Sequence, residues 1–219
     1  MNRKRLLIVG AGDLGREVHV WFAGIDSAIR DWDIKGFLDS SSRCPKIADL
    51  NVPLLGSPER YEPEDDDVFV CAIGTVEARG RVCEMIEARG GRFVTLAHPA
   101  AFLAPDAAIG AGCIVFPSAL IDTKCVVEDH VTLYYGSKIG HDAVVGRWSM
   151  VLPNAMVGSG SVLGRGVTMA TNSFSMNGIH VGDFATVGAN SVAVRDVPPR
   201  TTIFGVPGRP LRTRGISND

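Results

Sequence analysis

The chain has 219 residues, enough for one large or two small domains around a buried core. Its 46% hydrophobic and 21% charged content is that of a globular protein, and 22 basic against 24 acidic residues exclude the strongly basic face of a nucleic-acid binder. The apolar run Leu6-Leu7-Ile8-Val9 stops at Gly10 and Gly12, too early for a signal peptide, and no stretch approaches the roughly 18 apolar residues of a membrane span.

Strand and helix signals alternate over the first hundred residues. Arg5–Val9 reads as a strand, Gly10-Ala11-Gly12 as a turn, and Arg16 to about Ala23 as a helix. Lys35–Leu38 is a second strand ending at Asp39, and Asp67–Ile73 a third, closing at Gly74. Ala78–Ala88 is an amphipathic helix stopped by Gly90-Gly91. The acidic run Glu62–Asp67 is a solvated turn. Strands alternating with helices imply a small parallel sheet. The five cysteines, Cys44, Cys71, Cys83, Cys113 and Cys125, are odd in number and lack C-x-x-C spacing, as expected of reduced thiols in a cytoplasmic protein.

From about Pro105 the texture becomes repetitive. Every sixth residue from Leu103 to Ala193 is Leu, Ile, Val or Met at fourteen of sixteen positions, with Ser175 and Ala193 the exceptions. The residue two before is Ala, Cys or Ser at thirteen of sixteen, and the residue three after is Gly, Asn or Asp at eleven. A period of six fits a short strand and a tight corner, with one aliphatic inside and a residue tolerant of positive φ at the bend. Three such units close a triangular coil of eighteen residues. Stacked coils then lie about 4.8 Å apart.

The chain resembles the hexapeptide-repeat sugar acyltransferases of the PglD/NeuD type. The residues that carry the likeness are Gly10-Ala11-Gly12-Asp13-Leu14-Gly15-Arg16-Glu17-Val18, Gly36-Phe37-Leu38-Asp39, Leu55-Gly56-Ser57-Pro58, Ala72-Ile73-Gly74, His98-Pro99, Gly140-His141-Asp142, Arg195-Asp196-Val197-Pro198-Pro199 and Gly205-Val206-Pro207, in the family's order. The resemblance implies a Rossmann-like acceptor-binding domain over residues 1–98. A left-handed parallel β-helix acyltransferase domain with a C-terminal tail would follow over 99–219. It further implies a homotrimer that uses acetyl-CoA or another acyl-CoA, without a metal, to acylate an amino or hydroxyl group of a sugar or nucleotide sugar. Nothing implies a nucleic-acid or membrane partner.

Acyl transfer from a thioester needs a base for the attacking group and a donor for the developing oxyanion. In the resembling enzymes the histidine at His141 is the base, and Asp142 beside it raises its basicity. Eighteen residues beyond His141, one coil up, the backbone N–H of Ser159 is a candidate oxyanion donor, where relatives usually have glycine. Acyl-CoA contacts correspond to Met150, Thr171 and Ala189. Thr171 and Ala189 share a corner column with Pro153 rather than with His141, so two subunits would complete one site. Relatives often have a second histidine at Met150, and an Asn-Thr pair where this chain has Tyr134-Tyr135.

The turn Gly10-x-Gly12-x-x-Gly15 with Asp39 downstream would by itself suggest a dinucleotide. The sheet is too small for a second mononucleotide half, so NAD is the weaker reading. The resemblance assigns Gly12, Asp13, Leu14, Asp39, Ser40 and Gly74 to the acceptor. Asp13 stands where relatives commonly have glycine, and a carboxylate facing a diphosphate is unfavourable. His19 and His98 read as packing residues and His180 as outward-facing. A β-helix carbonic anhydrase would need three converging histidines, but His130 and His141 fall on different columns. A non-catalytic assembly module would lack the His-Asp pair.

Overall fold

A computed structural model describes residues 3–41 and 44–211; the first two residues, 42–43, and 212–219 at the end of the predicted C-terminal tail lie outside the described residues. Strands β1 (Lys4–Val9), β2 (Trp32–Leu38), β3 (Asp67–Cys71) and β4 (Arg92–Phe93) form a parallel sheet in the order β2-β1-β3-β4. Helices α1 (Asp13–Ala23) and α2 (Val76–Ala88) are the crossovers. Leu6, Leu7, Ile8 and Val9 are fully buried, as a central strand covered on both faces requires. Both helices begin two or three residues before their predicted starts, because Asp13 and Val76 directly follow the turns that end β1 and β3. The chain runs from β1 to one side and later to β3 on the other. The crevice at the C-terminal ends of β1 and β3 is therefore the topological switch point, where open α/β sheets bind ligands.

From Leu96–Ala97 to Val192–Ala193 the chain repeats two-residue strands every six residues. They stack into three parallel sheets whose partners are eighteen residues apart, as in Thr132↔Met150, Lys138↔Met156 and Val126↔Val144. This is the left-handed parallel β-helix with the predicted coil length. The aliphatic column and the small column two residues before it both point inward and form one continuous core, including Val115, Leu133, Val151, Cys113, Cys125 and Ala155. Each buried aliphatic side chain contributes about 1.5–3 kcal/mol.

At the bends, every residue of the third column from Gly112 to Asn190 has φ between 54° and 70°. Glycine and asparagine suit this, but Lys124, His130, Trp148 and Phe184 adopt it too. For such residues the left-handed conformation costs roughly 1–2 kcal/mol each. Backbone bonds to the preceding coil offset it: the N–H of Trp148 donates to Asp129 O (3.1 Å) and that of Phe184 to Arg165 O (2.8 Å).

One face of the prism is occupied by the chain's own first domain. Ile114, Phe116 and Met150 share a buried cluster with Leu14, Val18 and Phe22 of α1. Helix α2 lies on the neighbouring corner. There a Cβ at Gly80 would touch the Trp148 ring at 3.5 Å, and the fully buried Arg79 donates to Thr132 Oγ1 (3.0 Å) and Trp148 O (2.6 Å). Burial pushes the Arg79 guanidinium pKa down. His130 Nε2 meets Glu87 Oε1 at 3.1 Å, and its ring stands edge-on to Phe93. His130 is thus a packing residue of the domain junction, remote in role from His141. All five cysteines are free.

Candidate active site

The two remaining faces of the prism are largely apolar. One presents Phe102, Leu120, Met156, Phe174 and Val192, interrupted by the exposed Lys138, and the other Ala108, Val126, Val144 and Val162, ending at the exposed His180. They meet at a corner whose second positions, one per coil, are Thr123, His141, Ser159 and Asn177. The stacking is direct: Asp142 N–H donates to Thr123 O (3.1 Å), Gly160 N–H to His141 O (2.9 Å), and Gly178 N–H to Ser159 O (2.9 Å). Gly140 is required beneath Ser159, since a Cβ there would lie 2.7 Å from Ser159 N.

His141 and Asp142 come together on this corner. Asp142 takes the left-handed bend (φ 58°), a conformation Asp tolerates, and so turns its carboxylate back onto the imidazole. Nδ1 of His141 lies 2.7 Å from Asp142 Oδ2. A carboxylate only accepts, so in the neutral ring the contact selects the tautomer with the proton on Nδ1 and the lone pair on Nε2. Both side chains are just over half exposed, at 55% and 56%. The pair therefore fixes a tautomer and an orientation rather than adding stability.

The Ser159 N–H is engaged: it donates to Asn177 Oδ1 one coil further on (3.1 Å). Thr171 and Ala189 lie on a different corner, in register with Pro153 and not beside His141: Asn172 N–H donates to Pro153 O (3.0 Å) and Asn190 N–H to Thr171 O (3.0 Å). Met150 is 7% exposed, packed under the first domain on a third element of the coil. Within one subunit His141, Ser159 and Asn177 are together, whereas Met150, Thr171 and Ala189 are not with them. Tyr134 stacks on Phe116 (centroids 5.0 Å apart), and burial pushes its hydroxyl pKa up; Tyr135 is exposed.

At the switch-point crevice, each glycine of the turn has its own reason. Gly10 has φ 102° and a Cβ there would lie 2.8 Å from Ala72 O; a Cβ at Gly15 would overlap the Gly10 carbonyl oxygen. Gly12 and Gly74 face open space, with nothing within 4 Å of a Cβ. Asp39 accepts from Ala11 N–H and Ser41 N–H, both at 2.8 Å, so the carboxylate ending β2 braces the glycine turn. Ser40 Oγ lies 3.1 Å from both Glu59 carboxylate oxygens, and both residues line an open concavity of about 750 Å³ with Gly56, Ser57 and Tyr61. Leu14 is buried in the core. Asp13 is exposed and ion-paired with Lys46 (2.8 Å). Lys46 and Asn177 escaped the sequence reading. Lys46 comes from a distant turn with no motif, whereas Asn177 was within reach, two eighteen-residue steps from His141.

Among the described residues no group of three or more His, Cys, Asp or Glu is placed to hold a metal, and no helix is long and apolar enough to cross a membrane.

Residues 5–86 match the family described as the PglD N-terminal domain. The fold is similar to the acetyltransferase domain of PglB from Neisseria gonorrhoeae in complex with acetyl coenzyme A. That likeness has a TM-score of 0.87 and 26% identity, covering 95% of this chain and 100% of that one. PerB from Caulobacter crescentus, solved with CoA and GDP-perosamine, has the same fold (TM-score 0.83, 22% identity, 94% and 97% covered). The serine acetyltransferase of Bacillus pumilus is 31% identical over 120 residues, 54% of this chain and 48% of that protein. The chain spans about half the length of the curated relatives it matches. Residues 5–86 thus carry the PglD N-terminal domain, and the chain as a whole has the fold of the gonococcal acetyltransferase domain.

Proposed function

We propose that the protein transfers the acyl group of acetyl-CoA to an amino or hydroxyl group of a sugar, free or nucleotide-linked, with His141 as general base. The observation that carries this reading is the exposed His141–Asp142 pair at 2.7 Å, whose geometry selects the neutral tautomer with its lone pair on Nε2. The likeness to a domain solved with acetyl coenzyme A supports the donor. In this reading residues 1–98 hold the acceptor and 99–219 carry out transfer. Met150, Ser159, Thr171 and Ala189 serve the acyl-CoA, while Gly12, Asp13, Leu14, Asp39, Ser40 and Gly74 form the acceptor side, Leu14 by shaping the turn from beneath. Gly12 and Gly74 flank open space at the switch point, where the N-terminus of α1 favours an anion such as a diphosphate. The location is cytoplasmic, a reading supported by five free cysteines. The test is acetyl transfer from acetyl-CoA to a panel of nucleotide-linked amino sugars, followed by substitution of His141.

The same reading includes a homotrimer. Two largely apolar faces, broken by Lys138 on one and His180 on the other, flank the His141 corner, and a cyclic trimer covers both by packing one face of each subunit on the other face of the next. It also brings the Thr171–Ala189 corner of a neighbour toward His141. Met156, on one of these faces, is 37% exposed in the single chain. Met156→Glu is expected to give a 23.3 kDa monomer by light scattering, with activity lost, whereas the wild type runs as a trimer. A fully active wild-type monomer would refute it.

Asp13 alters the expected acceptor affinity. Its carboxylate sits in the first turn of α1 and neutralises Lys46. Asp13→Gly removes a like charge and releases the lysine toward a diphosphate. At so exposed a site the gain is about 1 kcal/mol, roughly fivefold in Kd. Calorimetry with UDP-sugars at two salt concentrations checks this. Unchanged or weaker binding in the mutant would mean that Asp13 itself contacts a non-nucleotide acceptor.

A further inference from the structure

The acceptor crevice and the His141 of one subunit lie on opposite sides of the prism. The first domain covers one face, and His141 stands on the corner between the other two. An acceptor held at the switch point has the whole coil between it and its own subunit's His141. From the crevice an aromatic shelf leads outward. Leu14, in the first turn of α1, shares a buried cluster with Phe116, and Tyr134 packs against it. Tyr134 lies flat on Phe116, with centroids 5.0 Å and planes 15° apart, and Tyr135 stands edge-on to Tyr134 at 6.2 Å and 74°. Tyr135 is 43% exposed and ends the shelf on the corner that carries Thr171 and Ala189. Its backbone is fixed there: its carbonyl accepts from Asn154 N–H (3.2 Å), and a Cβ at the next residue, Gly136, would collide with Asn154 Oδ1.

Symmetry sets what faces Tyr135. Successive coils of eighteen residues rise by ~4.8 Å, so six residues, a third of a coil, correspond to ~1.6 Å. In a cyclic trimer with its axis along the coils, equivalent residues share one height. On the corner that a neighbour brings toward His141, Tyr135 is thus nearly level with the imidazole, whereas Thr171 and Ala189 stand ~8 and ~13 Å above it. The upper part of the groove is left to the acyl-CoA and the level of Tyr135 to the acceptor. Resting on the acyl-transfer and trimer readings above, we propose that Tyr135 is an acceptor-binding residue supplied in trans. Its ring is the platform for the sugar ring, whose amine or hydroxyl meets the partner subunit's His141 while any diphosphate stays at the N-terminus of α1. The π face of tyrosine is negative and suits the polarised C–H groups of a pyranose. The ligand class that fits is a pyranose with an unobstructed C–H face, bound by the first domain of one subunit and acylated by the next.

The test uses the intact protein and the panel of nucleotide-linked amino sugars. Tyr135→Ala is expected to raise the acceptor KM about tenfold, with kcat and the acetyl-CoA Kd each within about threefold of wild type. Tyr135→Phe keeps the platform and should match the wild type. Mixed trimers test the supply in trans: His141→Ala and Tyr135→Ala subunits are co-expressed with different tags and purified through both. If Tyr135 serves the next subunit, every mixed trimer holds one site with both residues intact, and part of the activity returns at the wild-type KM. If it served its own subunit's His141, only the raised KM would be seen, and the proposal would fall. It also falls if Tyr135→Ala keeps the wild-type KM. The same holds if Tyr135→Phe is as impaired as Tyr135→Ala, since the hydroxyl and not the ring would then matter. A wild type that is monomeric by light scattering would instead overturn the trimer reading, and one that acetylates no member of the panel the acyl-transfer reading.

Discussion

His141→Ala is expected to lower kcat about a thousandfold while the Kd for acetyl-CoA changes by less than about threefold. The imidazole acts on the acceptor's proton and not on the CoA chain, so its loss removes an interaction made only as the acceptor attacks. A variant retaining more than a tenth of wild-type kcat would sink the assignment. Asp142→Asn is the informative companion. The asparagine oxygen still accepts from Nδ1, so the tautomer is kept, and the lost charge is screened at a pair more than half exposed on both sides. Its kcat should fall about tenfold, well short of the loss from removing the base. Equal losses in the two variants would mean that Asp142 itself handles the acceptor's proton.

The coil was legible because its physics is local and repeated. A single aliphatic every six residues, a small residue two before it and a bend three after it define one coil each time they recur three times. What the columns did not reveal was the conformation of residues that break them. Trp148 and Phe184 are bulky, yet both sit at φ near 60°, held by hydrogen bonds to the coil below and by contacts with the first domain or with neighbouring arginines. The general-base corner was visible as a dipeptide, and Ser159 above it by counting eighteen. Its N–H being taken by Asn177 was not, because the bond depends on a side-chain rotamer one coil further on. In the first domain the strands and helices followed their apolar periodicity, but β4 has two residues and no periodicity to read. Asp39 was legible as the carboxylate ending a strand. Its bonds to the glycine turn and to Ser41 show it bracing the crevice, a task that proximity in sequence could not suggest across 28 residues.

The glycines of the same turn separate folding from binding. Gly15→Ala is expected to destabilise the first domain by about 3 kcal/mol, even though alanine is the better helix former by about 1 kcal/mol. The added Cβ would overlap the Gly10 carbonyl oxygen, which is main chain and cannot rotate away. Helix α1 would have to lift from β1, loosening the packing of Leu14, Val18 and Phe22 against both the sheet and the coil. Spread over a chain of this size, that loss corresponds to a fall of roughly 6–12 °C in Tm. Gly12→Ala tests the opposite case. Its φ is −84°, and nothing lies within 4 Å of the new methyl, so Tm should hold to within about 1 °C. A methyl at that position nevertheless stands where a diphosphate would approach the first N–H groups of α1, so nucleotide-sugar affinity should drop while acetyl-CoA affinity does not. Calorimetric scans and titrations of the two variants decide the matter. A Gly15→Ala protein melting with the wild type would show that α1 is not seated on β1 through that glycine. A Gly12→Ala protein binding nucleotide sugars unchanged would move the acceptor away from the switch point, toward the concavity beside Ser40 and Glu59.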